Sequence, residues 1–213
     1  MEHTILTVDE ATQIKTRMRA EGPHLADAPL VEPFRLLALD IQRLTRDQRN
    51  PSIAVFSAYP KDGRSLVATF LARALAELVP PVAVLDADLN GSGLSGVPLP
   101  AMSTNGAGTD EQTHVASFGL PAVLTPVTSG RQPRRHFLEE IQSIISKAAN
   151  EGLTLVVDCP AATVSSSAFF IAAACSAVVY VARRRAEVDV HREIRGQLDL
   201  LGANSLGVVF NEI

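Results

Sequence analysis

The sequence predicts an α/β fold with a doubly wound, mainly parallel sheet and helices on both faces. Short apolar runs rich in β-branched residues alternate with segments of helical period along most of the chain. One of these runs leads through a glycine-containing loop into a helix, and two later runs end in aspartates. Ligands bind at the carboxyl ends of the strands in open parallel sheets, so we expect a site at that edge.

Length and composition agree with one soluble domain. The chain has 213 residues, 46% of them hydrophobic, and a formal net charge of -4 at pH 7. The apolar fraction is sufficient for a sizeable core, and the negative charge argues against a general nucleic-acid binder. Residues 1–30 are polar and interrupted by Gly-Pro and Ala-Pro pairs, so we expect an N-terminal arm, packed or mobile, ahead of a single domain over residues 31–213.

The first predicted helix and strand follow the arm. Apolar residues at helical spacing, with Pro33 in the first turn, predict an amphipathic helix over residues 32–44. Residues 53–56 are β-branched and aromatic and predict a strand. An apolar stripe then predicts a helix that begins near Arg64, covers one face of the sheet, and ends before Pro80 and Pro81.

The same alternation continues to the end of the chain. Strands are predicted over residues 82–85, 122–124, 153–158, 178–181 and 206–210, with helices over residues 137–148, through 169–171 and over 187–201. Residues 90–113 are rich in Gly, Ser and Pro and predict a long surface loop or a partly disordered insert. A basic cluster before the helix at 137 predicts a solvated helix start, with phosphate or acidic-lipid contact as the alternative; it comprises Arg131, Arg134, Arg135 and His136.

One uncharged stretch, residues 161–182, is long enough to span a bilayer. Its first half contains hydroxyl residues and its second half has the pattern of a buried parallel strand, so we predict a soluble segment instead. Cys159 and Cys175 lie in apolar surroundings without the spacing of metal ligands, which predicts reduced, buried thiols.

The loop after the strand at 53–56 is a broken phosphate-binding motif. The pattern G-x-x-x-x-G-K-[ST] places backbone N–H groups around phosphates and adds a lysine for them and a hydroxyl for magnesium. Gly63 and Ser65 fit the second glycine and the hydroxyl, whereas Ala58 and Arg64 replace the first glycine and the lysine. Arginine keeps the charge, but its planar fork is not interchangeable with a lysine ammonium.

Three aspartates stand at predicted strand ends. Asp86 and Asp88 follow the strand at 82–85, and Asp158 ends a buried strand in the manner of a Walker B acid, which holds magnesium directly or through water. A single aspartate at such a position is often a helix or turn cap. Together with the loop, the three predict a site shaped like a nucleotide pocket.

In this order the segments resemble the bacterial tyrosine kinases (BY-kinases) of capsule and exopolysaccharide synthesis. These belong to the deviant-Walker P-loop ATPases, which include the Min and Par proteins. The resemblance spans residues 32–211, and its most specific parts are the S-A-x-P-x-[DE]-G loop and the D-A-D and D-x-P strand ends. It implies a P-loop NTPase-like fold, with ATP or ADP and Mg²⁺ as cofactors.

The resemblance also implies a role for each matching position. The nucleotide-binding loop would comprise Ser57, Ala58, Pro60, Lys61, Asp62, Gly63, Arg64 and Ser65, in which Lys61 replaces a glycine of the family and Arg64 replaces its lysine. The metal ligands would be Ser65, Asp86 and Asp158. In an active protein, Asp86 and Asp88 would also prepare the attacking tyrosine hydroxyl. Glycine lets the backbone approach a ligand, so Lys61 would narrow the space for the γ-phosphate.

Three further departures from the family bear on function. Relatives often continue the D-A-D motif with basic residues, but Asn90 and Gly91 follow Leu89 here. The E-x-x-R-x-x-R signature that helps relatives to assemble into rings is matched by Glu32 and Arg35, but Ala38 replaces its last arginine. Tyr59 and Tyr180 are the two tyrosines of this sequence, and the tyrosine cluster of active relatives is missing. We therefore expect no self-phosphorylation on a tyrosine tail.

The expected function is that of a degenerate BY-kinase-like protein of polysaccharide synthesis or export, with weak or no nucleotide binding and a regulatory or scaffolding role. The resemblance implies a cytoplasmic protein that reaches the inner membrane through a membrane-embedded polysaccharide co-polymerase or activator, forms homo-oligomers, and binds no nucleic acid. One alternative is an active tyrosine kinase or ATPase that uses Arg64 in place of the lysine. Another is a positioning ATPase of the Min/Par type, with Lys61 as a displaced second lysine.

Overall fold

The computed structural model describes residues 5–6, 32–88, 122–124, 134–183 and 188–211. Within these ranges the chain forms seven strands: β1 (Ile5–Leu6), β2 (Ser52–Ser57), β3 (Val82–Asp86), β4 (Ala122–Leu124), β5 (Thr154–Asp158), β6 (Ala177–Arg183) and β7 (Ser205–Asn211). The helices are α1 (Glu32–Leu44), α2 (Arg64–Leu78), α3 (Arg134–Asn150), α4 (Ser167–Ala174) and α5 (Val188–Leu200).

The strands form one sheet in the order β1-β7-β6-β2-β5-β3-β4, and every pairing between them is parallel. Side chains of β2 alternate between two cores, because successive residues of a strand point to opposite faces. Ile53 and Val55 pack with α1 and α2, whereas Ala54 and Phe56 pack with α3, α4 and α5. The predicted doubly wound fold with helices on both faces is confirmed.

Helix α1 has the bounds that its apolar periodicity predicted. It packs against α2, and the rings of Phe34 and Phe70 stack with centroids 5.1 Å apart. The predicted strand at 122–124 is confirmed as β4. Helix α3 begins at Arg134, so three residues of the basic cluster form its first turn, as expected for a helix start.

The predicted N-terminal arm contains a strand that its polarity did not indicate. Ile5 of β1 pairs with Phe210, and Leu6 pairs with Asn211. The other residues of the arm, the predicted loop at 90–113 and Arg131 lie outside the described residues. The domain boundary at residue 31 stays a prediction.

The uncharged stretch 161–182 folds as α4 followed by most of β6. None of the helices in the described ranges is long and apolar enough to cross a membrane. Both cysteines are buried and free, and burial raises the pKa of each thiol, that of Cys175 to about 12. The predicted burial of both thiols is confirmed, and their raised pKa values make them poor nucleophiles.

Candidate nucleotide site at the carboxyl edge of the sheet

The broken phosphate-binding loop lies where the sequence predicted it, between the end of β2 and the start of α2. Gly63, the last loop residue, has a φ of 92°. A Cβ at this position would lie 2.0 Å from Nδ2 of Asn211, which donates a hydrogen bond to the carbonyl oxygen of Asp62 at 2.8 Å. Backbone conformation and close approach therefore both require glycine here.

Lys61 lies at the loop tip in a backbone conformation that glycine adopts more readily. Its φ is 68°, in the left-handed region that costs an L-residue with a side chain about 1–2 kcal/mol. The loop therefore has a glycine-type backbone at a position that lysine occupies.

Arg64 is the centre of the site, and its side chain turns toward the strand ends. Its Nε donates to Asp158 Oδ1 at 2.8 Å, its Nη2 to Asp88 Oδ2 at 2.7 Å, and its Nη1 to Ser57 Oγ at 3.0 Å. The exposed fractions of the side chains are 7% for Arg64, 13% for Asp88 and 0% for Asp158. One guanidinium therefore links the ends of β2 and β5 to the residues after β3 through charge-assisted hydrogen bonds, of which the one to Asp88 is partly buried.

The three predicted acids meet at this edge of the sheet. Asp86 and Asp158 are direct partners in the register of β3 and β5, and the N–H of Asp88 donates to Asp86 Oδ1 at 3.1 Å. Burial raises the pKa of Asp158 to about 6, and the charge of Arg64 is the largest effect that opposes this shift. Asp158 is therefore mainly ionised at neutral pH, and Arg64 is the cation that balances it.

We asked whether these residues fit a magnesium ion. The donor chemistry is suitable, because the Ser65 hydroxyl interacts with Asp158, and Oδ2 of Asp158 is buried without a hydrogen-bond partner in the described structure. The arrangement is not suitable, because Asp158 and Asp88 are both already paired with the Arg64 guanidinium. No group of three or more His, Cys, Asp and Glu side chains in the described ranges is arranged to hold a metal ion. Magnesium does not fit the site as it stands.

Two residues that no sequence motif indicated hold the loop from the β6 and β7 side of β2. Arg183, at the end of β6, donates to the carbonyl oxygen of Lys61 and lies 3.6 Å from the carboxylate of buried Asp62. Asn211, at the end of β7, holds the Asp62 carbonyl. Both residues stand at the carboxyl ends of strands. The expectation that ligands bind at that edge of a parallel sheet, which indicated the three acids, would therefore also have indicated these two residues.

The loop itself is closed by local hydrogen bonds. The carboxylate of Asp62 accepts from the N–H of Tyr59 at 3.0 Å, and the hydroxyl of Ser57 donates to the Tyr59 carbonyl at 3.1 Å. Burial raises the pKa of Asp62, and the hydrogen bond from Tyr59 opposes this shift. The predicted loop residues thus form one compact unit, which Arg183 and Asn211 attach to the sheet.

Comparison with known proteins identifies the fold. No model of a known protein family matches the chain, and no curated protein matches it. Among solved structures, the kinase domain of the Escherichia coli tyrosine kinase ETK superposes with a TM-score of 0.75 at 17% identity, covering 100% of this chain and 91% of that one. The BceF tyrosine kinase domain gives a TM-score of 0.76 at 18% identity, covering 99% and 93% of the two chains.

A third similar structure, the VpsO kinase domain, gives a TM-score of 0.62 at 19% identity, with 98% of this chain and 100% of that chain covered. These likenesses extend over nearly the whole length of each compared chain. The chain therefore has the fold of the bacterial tyrosine kinase domains, as its sequence motifs predicted.

Proposed function

We propose that this chain is a BY-kinase-like protein that does not phosphorylate itself and that regulates or scaffolds polysaccharide synthesis or export through protein contacts. Its nucleotide binding, at residues 57–65, is weak or absent. The observation that carries the proposal is the Arg64 guanidinium, which bonds Ser57, Asp88 and Asp158 in the place where a magnesium nucleotide would need free carboxylates.

The energetic argument is a competition for the same carboxylates. A guanidinium held by one buried and one partly buried aspartate is not available to the β- and γ-phosphates, and the aspartates it holds are not available to Mg²⁺. Separating one partner from a buried ion pair costs about 3–5 kcal/mol. If nucleotide binding requires that separation, its affinity falls by a factor of about 10²–10⁴, since each 1.4 kcal/mol is tenfold.

The proposed partner is a membrane-embedded polysaccharide co-polymerase or activator, which would hold this cytoplasmic protein at the inner membrane. Support for it comes from the sequence resemblance and from the fold. Homo-oligomer formation is proposed on the same basis, with Glu32 and Arg35 at the start of α1 as the retained part of the family signature. Their side chains form an exposed ion pair at 3.6 Å.

A second candidate function is an active ATPase or tyrosine kinase. The observation in its favour is that Asp86 and Asp158 remain adjacent in the strand register and that the Ser65 hydroxyl lies beside Asp158. Here Arg64 would leave the aspartates when nucleotide arrives, and Asp86 and Asp88 would act on the acceptor hydroxyl of another chain. Turnover of ATP separates this candidate from the first.

Titration calorimetry with Mg²⁺ and ATP or ADP tests the proposal. We expect millimolar affinity or no heat for the native protein, binding at least tenfold tighter for Arg64→Lys, and loss of that gain when Asp86→Ala is added. Arg43→Lys, an exposed arginine of α1, is the matched control and should behave like the native protein. Micromolar binding with ATP turnover by the native protein, or a clear antiphosphotyrosine signal after incubation with ATP, would refute the proposal.

A further inference from the structure

A second cavity lies away from the phosphate loop, between α5 and the strands β6 and β7. Its volume is about 360 Å³. Ala182, Leu198, Val208 and Phe210 supply most of an apolar wall. Small-molecule sites are usually cavities of roughly 300–1,000 Å³ with mainly apolar walls and a few placed polar groups. This cavity, called the α5 groove below, has the size and the wall of such a site.

The charged residues that line the α5 groove are all basic, and each of them pairs with an aspartate outside the lining. Arg183, Arg192 and Arg195 line it, and no Asp or Glu does so among the described residues. Arg192 pairs with Asp189 at 2.8 Å and Arg195 with Asp199 at 4.0 Å, but all four side chains are more than half exposed. Exposed ion pairs of this kind contribute little stability in water, so their arginines remain available to an anion that binds them more strongly.

The α5 groove also contains a polar pair. The Tyr180 hydroxyl is 2.5 Å from Nδ1 of His191, and both side chains line the α5 groove. Burial raises the pKa of Tyr180, so its hydroxyl keeps its proton; which of the two atoms donates in the pair depends on the tautomer of the ring. Nε2 of His191 is buried and has no hydrogen-bond partner in the described structure. A buried polar atom left in this way calls for a partner.

We propose that the α5 groove binds a small anionic amphiphile, with its apolar body against Val208 and Phe210 and its anionic head at His191 and the arginines. Single-chain phosphates and carboxylates have this chemistry. The site also touches the phosphate loop, because Arg183 bonds the Lys61 carbonyl and the Tyr59 ring meets His191 edge-on at 6.2 Å. A bound head group would therefore contact the residues that brace the loop.

The test is calorimetry of the full chain with decyl phosphate and decanoate below their micelle concentrations. Decyl glucoside has a neutral head group on the same decyl tail, and inorganic phosphate is the anion without a tail. We expect both anionic amphiphiles to bind at least tenfold tighter than either of these probes. Arg195→Gln and His191→Phe should each weaken decyl phosphate at least fivefold, whereas Arg43→Gln, the same charge change on α1, should leave its affinity unchanged.

Filling the α5 groove gives a second, independent variant. Val208→Trp places a large ring in the cavity and should abolish binding; the native sequence contains no tryptophan, so its fluorescence also reports whether the ring is buried. Equal affinity for decyl glucoside and decyl phosphate would show an apolar site without anion recognition and overturn the proposal. Unchanged affinity in both Arg195→Gln and His191→Phe, or no binding by the native protein, would overturn it as well.

Discussion

Replacing Arg64 by methionine should destabilise the fold strongly and in a pH-dependent way. The substitution keeps an unbranched side chain of similar length but removes the hydrogen bonds to Asp158, Asp88 and Ser57. Asp158 is fully buried, so it would be left as an uncompensated charge. Breaking a buried ion pair in this way costs about 3–5 kcal/mol, and we expect the free energy of unfolding to fall by that amount at about pH 8.

The loss should shrink at low pH. The pKa of Asp158 is about 6 in the native fold with Arg64 beside it, so removing Arg64 moves that pKa higher still. At about pH 5 Asp158 is largely protonated in both proteins and little charge remains to be left unpaired. Because one pKa unit corresponds to about 1.4 kcal/mol, the destabilisation should be roughly 1–3 kcal/mol smaller at pH 5 than at pH 8.

Urea unfolding followed by far-ultraviolet circular dichroism measures both quantities, and it suits a chain without tryptophan. Arg43→Met removes an exposed arginine from α1 and should change the free energy of unfolding by less than about 0.5 kcal/mol. Arg64→Met combined with Asp158→Asn should recover part of the loss, since the buried charge is then gone. A loss below about 1 kcal/mol at pH 8, or an equal loss at both pH values, would refute the reasoning.

Three further predictions concern the same edge of the sheet. Lys61→Gly should stabilise the fold by about 0.5–1 kcal/mol in urea unfolding, because it relieves a left-handed backbone, whereas Lys61→Ala, which keeps a Cβ, should give no gain. Gly63→Ala should lower the free energy of unfolding by about 2–3 kcal/mol, because the added Cβ displaces Asn211. The loss should be smaller in an Asn211→Ala background, and an equal loss in both backgrounds would contradict the clash. Folding raises the pKa of Asp158, so the stability that its protonated carboxyl contributes is fully present below about pH 4 and is lost as the pH rises through 6. The native protein should therefore lose up to about 3 kcal/mol relative to Asp158→Asn between pH 4 and 7, and parallel pH profiles would exclude this.

The elements that the sequence predicted well are those set by local patterns. Helix α1 follows from apolar residues at helical spacing, and β2 from a short run whose side chains alternate between two faces. The meeting of Asp86 and Asp158 was also predictable, because parallel strands bring their carboxyl ends to one edge. Strand β1 was missed because two apolar residues in a polar segment give no period to detect, and its pairing depends on β7.

The sequence by itself determined that this chain is a parallel α/β domain with a phosphate-type loop and three acids at one edge. It also showed that arginine stands where the loop usually has lysine. Only the tertiary structure decided what that arginine does. Its guanidinium turns to Asp158 and Asp88 because a buried and a partly buried carboxylate at that edge need a nearby cation, and strands distant in sequence bring them within its reach. The contacts of Arg183 and Asn211 with the loop arise in the same way, from strand ends that meet only in the folded sheet.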